Sequence, residues 1–311
     1  MGLTDTIKKM LEGGVHFGHL KRNWNPKMQK FIFGRKKNIY IIDLEKTTKM
    51  LDQAKEFLKE TAKSGGNILF VGTKRQIRPV IKELATSCDM PYVDQKWVGG
   101  LLTNFSTIKK RLQRYLELLK MRENGEFDNI PSKEVVRLNR QISRMDKNYS
   151  GLTTLKTLPD CVFVVDPKRE KSCVRETTKL SIPLVALIDT DADPEEVDYP
   201  IPGNDDAIRS VKFIVSSLVK AIDEGRQDYH TIQKEKESGE QENAGDEQED
   251  KKDLGIQAKD QDQAEEKKKD KSEIQNPKSE KKKREKSEKK KEETKEEENK
   301  DQEKNKEEEK E

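Results

Sequence analysis

Uniformly apolar runs of strand length alternate with helix-like segments through the first 230 residues, and this alternation constrains the fold most strongly. The runs are Ile39–Ile42, Asn67–Gly72, Pro91–Val93, Cys161–Val165 and Pro183–Ile188. Strands that are apolar on both faces are typical of parallel sheets whose two sides are covered by helices, joined by right-handed crossovers. The alternation therefore predicts five parallel strands in one layered α/β domain.

Helices are predicted between these strands from apolar spacing and from capping residues. They cover residues 4–12, 44–63, 75–87 and 207–223, and another lies between the last two apolar runs. Leu51, Ala54 and Leu58 share one face of the second helix, and Gly65-Gly66 ends it. Together, the strands and helices predict a Rossmann-like (flavodoxin-like) fold with helices on both faces of the sheet.

The alternation breaks between Asn104 and Ser150, where two apolar seams have helical spacing. The first seam is Ile108, Leu112, Tyr115 and Leu119, and the second is Val135, Leu138, Ile142, Met145 and Tyr149. A short connector with Gly125 and Pro131 separates them. Heptad-like seams joined in this way predict an antiparallel coiled-coil helical hairpin at 104–150. It would be inserted between the two parts of the α/β domain, residues 1–103 and 151–230.

The composition of the chain changes at residue 231. Residues 231–311 hold 23 basic and 29 acidic residues with few aliphatics, whereas residues 1–230 hold 40 basic and 31 acidic residues. A segment that cannot bury a core stays unfolded, so residues 231–311 are predicted to be a disordered Lys/Glu-rich tail. The net charge of +9 on the first 230 residues favours a polyanionic partner.

A basic and aromatic run lies between Lys21 and Lys37. It contains seven basic residues and no acidic one, together with Trp24, Phe31 and Phe33. Because phosphate oxygens attract cations and aromatic faces stack on bases, the run indicates RNA binding. A solvated loop with its aromatic residues in the core is the alternative. The residues predicted to bind RNA here are Lys21, Arg22, Trp24, Asn25, Lys27, Arg35, Lys36 and Lys37.

Basic residues also line the predicted hairpin. Its first helix carries Lys109, Lys110, Arg111 and Arg114 near its base. One face of its second helix carries a stripe at spacings of four and three residues, namely Lys133, Arg137, Arg140, Arg144 and Lys147. Clustered cations with few acidic neighbours repel one another, so a polyphosphate partner explains them better than a solvated face does. RNA contact is predicted for Lys109, Lys110 and Arg111 of the first helix and for the three arginines of the second.

Signals for an enzyme are weak. Lys74 follows an apolar run in Gly72-Thr73-Lys74-Arg75, where it could meet a phosphate. However, the sequence contains neither a Gly-x-Gly-x-x-Gly nor a Gly-Lys-Ser/Thr loop. A nucleotide-dependent α/β enzyme is the alternative that the fold suggests, but no catalytic residue and no cofactor are predicted.

Two groups of residues could in principle bind a metal ion. Asp189, Asp191 and Asp193 could surround Mg²⁺, yet the proline and two glutamates that follow favour an acidic turn. His16 and His19 could share a metal ion only with a further ligand, and no cysteine pairs with them. No metal site is therefore expected.

The cysteines and the hydropathy of the chain indicate a cytosolic protein. Cys88, Cys161 and Cys173 show no paired spacing, which is typical of reduced thiols in the cytosol. The N-terminus lacks the apolar segment of a signal peptide, and no apolar run reaches the ~20 residues of a membrane-spanning helix. No membrane association is expected.

Several separated motifs occur in a fixed order between Thr4 and Asp228. They are Gly14–His19, Trp24–Met28, Phe31–Gly34, Ile41–Thr47, Val71–Lys74, Trp97–Phe105, Pro159–Asp160, Val164–Asp166 and Ile201–Ala207. In sequence and in order, these motifs resemble the bacterial form of the small-subunit ribosomal protein S2 family. The resemblance does not extend to the charged tail.

This resemblance implies a Rossmann-like domain with an inserted coiled-coil hairpin that binds small-subunit ribosomal RNA. It implies no enzymatic activity, no cofactor and no small-molecule substrate. It also implies contacts with neighbouring small-subunit proteins and, in some members, with ribosomal protein S1.

Residues near the strand ends and at the start of the hairpin are also predicted to have roles. We expect RNA contacts from Lys74, Arg75, Lys96, Trp97, Thr103 and Asn104. Gly99-Gly100 match the family's flexible joint between the sheet domain and the hairpin. A relative used as a surface receptor is the other alternative, and the absent export signal argues against it.

Overall fold

The computed structural model describes residues 3–257, with side chains described for residues 4–233. In chain order, its helices and strands are α1 (Leu3–Gly13), β1 (Phe17–Leu20), β2 (Ile32–Lys36), β3 (Ile39–Ile42), α2 (Leu44–Lys63), β4 (Ile68–Val71), α3 (Arg78–Ser87), β5 (Tyr92–Val93), α4 (Phe105–Glu123), α5 (Ser132–Tyr149), β6 (Cys161–Val165), α6 (Lys171–Lys179), β7 (Leu184–Ile188), β8 (Tyr199–Pro202) and α7 (Ile208–Gln257). Residues up to 240 belong to one compact unit.

The main sheet has five parallel strands in the order β5-β4-β6-β7-β8. Counted along the chain, this is the 2-1-3-4-5 order of flavodoxin-like sheets. Every residue of β4, β6 and β7 is buried, as the uniformly apolar runs predict. The prediction of a parallel α/β sheet flanked by helices is confirmed.

Alternate residues of the central strands enter two separate hydrophobic cores. Ile68 and Phe70 of β4 pack in one core with residues of α2, α3 and α7. Leu69 and Val71 pack in the other core with residues of α4, α5 and α6. Side chains of successive strand residues point to opposite faces, so helices cover both sides of the sheet.

The position predicted for strand Ile39–Ile42 was wrong. The strand, β3, lies between β1 and β2 in a separate antiparallel sheet, and only Ile42 of its four residues is buried. A two-residue turn with positive φ angles at Lys37 and Asn38 joins β2 to β3. Such a tight turn makes the local antiparallel pairing available, and the apolar run alone does not reveal it.

The fifth parallel strand is instead β8, which the sequence reasoning missed. Its four residues include Pro200 and Pro202, and each proline removes a backbone donor. Because β8 lies at the edge of the sheet and pairs only with β7, the missing donors are tolerated there.

Helices α4 and α5 pack against each other along the apolar seams that the sequence contains. Ile108, Leu112 and Tyr115 of α4 are buried, as are Ile142 and Tyr149 of α5. The hydroxyl group of Tyr115 donates a hydrogen bond of 2.6 Å to Asp146 across the two helices. The contact between the two helices thus combines apolar packing with this side-chain hydrogen bond.

The final helix extends beyond the prediction. It was expected to end near residue 223, with a disordered tail from residue 231, but α7 continues to Gln257. This stretch contains no proline, and its many Glu, Lys and Gln residues favour helix. The rest of the predicted tail, residues 258–311, lies outside the described residues. No helix within residues 3–257 is both long enough and apolar enough to cross a membrane.

Candidate nucleic-acid interface

The basic run between Lys21 and Lys37 forms two short 3₁₀ turns and strand β2. Besides Lys30, whose ammonium lies 5.2 Å from the centroid of the Phe31 ring, five of its cations are exposed and, within the described part of the chain, form no ion pair. We call them the N-terminal basic surface: Lys21, Arg22, Arg35, Lys36 and Lys37. These side chains can bind phosphate without first breaking an internal ion pair.

The three aromatic residues of this run have different surroundings. Phe31 is buried in the core, and the ring of Trp24 lies 4.8 Å from that of Tyr40, centroid to centroid. Phe33, by contrast, is 79% exposed. The alternative in which the aromatic residues enter the core therefore holds for Phe31, whereas Phe33 keeps a face free for stacking on a base.

Lys27 and Asn25 bind the protein itself. The ammonium group of Lys27 lies 2.8 Å from Asp193 and 2.6 Å from Glu195. The backbone amide of Asn25 donates a 2.8 Å hydrogen bond to the carbonyl group of Thr190. Both residues therefore fasten the N-terminal segment to the loop after β7, and Asp193 belongs to a turn, as predicted.

Lys74 lies at the carboxyl end of β4, in the crevice where open α/β sheets commonly bind ligands. Its ammonium nitrogen is 2.8 Å from a carboxylate oxygen of each of Asp166, Asp205 and Asp206. Burial alone would lower the pKa of Lys74, but the attraction of Asp205 and hydrogen bonds to all three carboxylates raise it overall. A charged side chain of the protein thus occupies the crevice, and Lys74 is not free to bind a phosphate.

The loop after β7 also contacts β1 closely. A Cβ atom on Gly18 would lie 2.5 Å from the methyl carbon of Thr190, so this approach requires glycine. The next residue, His19, donates from its backbone amide to the Thr190 hydroxyl oxygen over 2.8 Å. The antiparallel sheet is therefore fixed to the carboxyl end of the parallel sheet.

The imidazole of His19 enters the same acidic region. Its Nδ1 atom is 3.1 Å from Asp189 and its Nε2 atom is 3.7 Å from Asp206. The hydrogen bond to Asp189 is the main cause that raises the pKa of His19 to about 9, and partial burial opposes it. His19 is therefore a cation at neutral pH.

We expect the contribution of His19 to stability to disappear as the pH rises. Because its pKa is higher in the folded chain than in the unfolded chain, the stabilisation is complete below the unfolded value. It is lost as the pH rises through about 9. His19→Gln should cost on the order of 1–3 kcal/mol at about pH 6 and little above about pH 10. Chemical denaturation at several pH values measures this, with His230→Gln, at an exposed position, as the control. A cost that does not vary with pH would contradict the assignment.

His16 is separate from this network. Burial lowers the pKa of its imidazole, and its buried Nδ1 atom has no hydrogen-bond partner among the described residues. Within that same part of the chain, no group of three or more His, Cys, Asp or Glu residues has an arrangement that could hold a metal ion.

The loop before α4 is held by a residue that the sequence reasoning missed. Glu176 of α6 accepts hydrogen bonds from the Trp97 indole at 3.0 Å and from the Gly100 amide at 2.8 Å. It also accepts from the amides of Leu102 and Thr103 and from the Thr103 hydroxyl, at 3.0, 3.1 and 3.2 Å. Trp97 and Thr103, both predicted to contact RNA, therefore donate hydrogen bonds to this carboxylate.

These donors stabilise the ionised form of Glu176. Partial burial alone would raise its pKa, but the hydrogen bonds from Trp97 and the three amides lower the pKa overall. Its partners lie 73 to 79 positions away along the chain, so no local spacing in the sequence points to this residue.

The two glycines of the predicted joint should respond differently to substitution. Gly100 has a φ angle of +80°, whereas a Cβ atom on Gly99 would meet nothing within 4 Å. Gly100→Ala should therefore cost about 1–2 kcal/mol in unfolding free energy, because L residues are strained in this region. Gly99→Ala, the matched control, should change stability by less than about 0.5 kcal/mol. Denaturant unfolding of the two variants provides the comparison, and equal costs would exclude this reason for Gly100.

The cations of α4 and α5 form a second exposed group. Arg114 pairs with Glu117 at 3.2 Å, but the six cations that were predicted to bind RNA form no ion pair within the described residues. We call them the helix-pair basic surface: Lys109, Lys110, Arg111, Arg137, Arg140 and Arg144. Arg111 and the three arginines of α5 line one open cleft of about 640 Å³, and no acidic side chain lines it. The structure thus brings together cations from both helices.

The remaining predicted residues lie near the carboxyl ends of β4 and β5. Arg75 and Lys96 are exposed and, in the part of the chain that is described, have no ion-pair partner. Asn104 precedes α4, and its backbone amide donates a 2.9 Å hydrogen bond to the carbonyl group of Gly100. The side chains of Arg75 and Lys96 are therefore available to bind another molecule, while the backbone of Asn104 helps to shape the loop before α4.

Comparison with known proteins identifies the family. Residues 10–225 match the family model described as ribosomal protein S2. The chain is also similar to the small ribosomal subunit protein uS2 of Coprothermobacter proteolyticus. The two are 51% identical over 222 residues, which cover 71% of this chain and 83% of that protein. Motifs, fold and comparisons agree: the chain belongs to the ribosomal protein S2 family.

Proposed function

We infer that this chain is a structural protein of the small ribosomal subunit and supports the assembly and translation of that particle. Its family and its relative's name place it there, in the cytoplasm, as a ribosomal protein and not an enzyme. Its partners are small-subunit ribosomal RNA and neighbouring ribosomal proteins. The observation that carries the mode of binding is the cleft between α4 and α5, which arginines line and no carboxylate neutralises.

Two surfaces bind RNA in this proposal. The N-terminal basic surface contacts phosphates, with Phe33 available to stack on a base. The helix-pair basic surface lies along a second RNA segment, and Arg75 and Lys96 add contacts near the strand ends. RNA would be recognised mainly by its shape, because most of these groups bind backbone phosphates.

Four other residues that were predicted to bind RNA already have partners within the protein. Lys27 and Lys74 are neutralised by aspartate and glutamate, and Trp97 and Thr103 bind Glu176. Binding RNA through any of them would require breaking an internal contact that is already made. We therefore assign them to shaping the interface.

The proposal includes an inserted coiled-coil hairpin at residues 104–150, between the α/β parts 1–103 and 151–230. Support comes from the seam contacts and from the Tyr115–Asp146 hydrogen bond between α4 and α5. Ribosomal protein S1 is a further candidate partner, and only the family resemblance supports it.

Sedimentation of ribosomes tests the proposal. Cell extract is separated at high magnesium concentration, and the small-subunit fraction is washed with increasing salt. We expect the chain in that fraction at low salt and a progressive release as salt competes for phosphates. Absence of the chain from small subunits of growing cells would overturn the proposal.

A further inference from the structure

We propose that Glu176 positions the α4–α5 pair relative to the sheet, by holding the loop that leads into α4. This inference rests on the proposed function, since a fixed helix pair matters for docking on RNA. It assigns a role to a residue that contacts no RNA in the proposal. The joint at Gly99-Gly100 is then held by the Glu176 carboxylate instead of being freely flexible.

Five hydrogen-bond donors converge on the side chain of Glu176. Three backbone amides, one indole and one hydroxyl donate to the two oxygens of Glu176, at 2.8 to 3.2 Å. No ion pair of Glu176 with a lysine or arginine occurs among the described side chains. The loop itself therefore stabilises the negative charge, and hydrogen bonds to a charged acceptor are the stronger kind.

These donors lie in the loop that leads directly into α4. The loop ends directly at Phe105, the first residue of α4, so Thr103 is two residues from the helix. Leu101 and Leu102 are buried in the core that also contains Val174 of α6. The carboxylate thus joins a helix packed on the sheet to the residues that set the direction of α4.

Backbone hydrogen bonds and the buried Leu101 and Leu102 also hold this loop, but among the described contacts only Glu176 binds three of its amides at once. A Cβ atom on Gly99 would meet nothing within 4 Å, and the side chain of Asn104 does not cap α4. Without the carboxylate, the amides of Gly100, Leu102 and Thr103 lose their acceptor. A loop with unsatisfied donors and an adjacent glycine pair would sample several directions.

Glu176→Gln tests the proposal in the full-length chain. Its amide group keeps the shape but carries one acceptor oxygen and adds donors that face other donors. We expect amide hydrogen exchange at Gly100, Leu102 and Thr103 to become roughly 10- to 100-fold faster. Thr103→Val removes only the hydroxyl donor and should have a smaller effect. Glu196→Gln, at an exposed position, is the control for the change of charge.

The same variants are then bound to small ribosomal subunits from which this protein has been removed by salt washing. Glu176→Gln should bind roughly 10-fold more weakly than the unaltered protein, and Glu196→Gln should bind equally well. Circular dichroism checks that the variants are folded. If Glu176→Gln does not fold, the graded effect of Thr103→Val on exchange and binding decides the question.

Combining Glu176→Gln with glutamate at Arg137, Arg140 and Arg144 separates positioning from direct contact. If Glu176 acts through the helix pair, its effect on binding should largely vanish in that background. Unchanged exchange at the three amides, unchanged binding despite faster exchange, or full additivity with the arginine substitutions would each overturn the proposal. Failure of the unaltered protein to bind the particles would overturn the proposed function as well, which distinguishes the two.

Discussion

Replacing Arg137, Arg140 and Arg144 together by glutamate is expected to prevent stable incorporation of the chain into small subunits. The three arginines are exposed, lack ion-pair partners in the described part of the chain, and line the same cleft. Reversing them replaces attraction to phosphates by repulsion. We expect binding to weaken by roughly 100-fold or more. The slope of log affinity against log salt is negative, and its magnitude should decrease by about 2 to 3.

The fold should survive this triple substitution. Exposed positions away from the core usually change stability by less than about 0.5 kcal/mol each. A variant with glutamate at Lys63, Lys82 and Lys179, all exposed on the α/β part, has the same change in net charge and is the control. If both triple variants lose the same affinity, net charge and not the cleft determines binding. Normal incorporation of the arginine variant would remove the helix pair from the interface.

Lys74→Met should destabilise the protein strongly. The ammonium of Lys74 is the shared partner of Asp166, Asp205 and Asp206, and burial already holds the pKa of Asp205 above its usual value against the attraction of Lys74. Removing the cation leaves these carboxylates to repel one another. Breaking a buried ion pair by removing one partner typically costs about 3–5 kcal/mol.

Denaturant unfolding of Lys74→Met measures this cost. Lys55→Met is the matched control, because Lys55 lies 3.0 Å from Asp52 in a more exposed pair, and such pairs contribute about 0–1 kcal/mol. A stable Lys74→Met variant with weakened RNA binding would contradict the structural role and support direct phosphate contact by Lys74.

Local signals in the sequence were sufficient for helix α2 and for three buried strands of the main sheet. Helix α2 begins and ends as predicted, because Asp43 accepts from the amides of Glu45 and Lys46 and Gly65 adopts a φ angle of +79° after its last turn. The buried strands β4, β6 and β7 were recognisable from their apolar residues alone. Both signals depend on neighbours within one turn or one strand.

Pairing between distant segments could not be predicted in this way. The run at Ile39–Ile42 resembles a strand of the parallel sheet, but its partners are decided by a two-residue turn and by docking of Gly18 on Thr190. Strand β8 is difficult to predict because its two prolines are unfavourable in a strand, and only an edge position tolerates them. The three buried strands were thus predictable from their residues, whereas the partners of β3 and the existence of β8 were not.

The predictions for the candidate interface likewise succeeded where partners are local and failed where partners are distant in sequence. The absence of acidic residues between Lys21 and Lys37 correctly indicated that most of these cations lack local partners. It could not show that Lys27 is neutralised by Asp193 and Glu195, more than 160 positions away. The same holds for Lys74 and for the donors of Glu176, because their partners come from other strand ends and helices.

Ultraviolet cross-linking within isolated small subunits identifies the residues of the chain that contact ribosomal RNA. Peptides joined to the RNA are identified by mass spectrometry. We expect cross-links in the peptides that carry the N-terminal and helix-pair basic surfaces, at residues 21–37 and 104–150. Cross-links concentrated at Lys74 and Trp97, with none on the arginines of α5, would contradict this expectation.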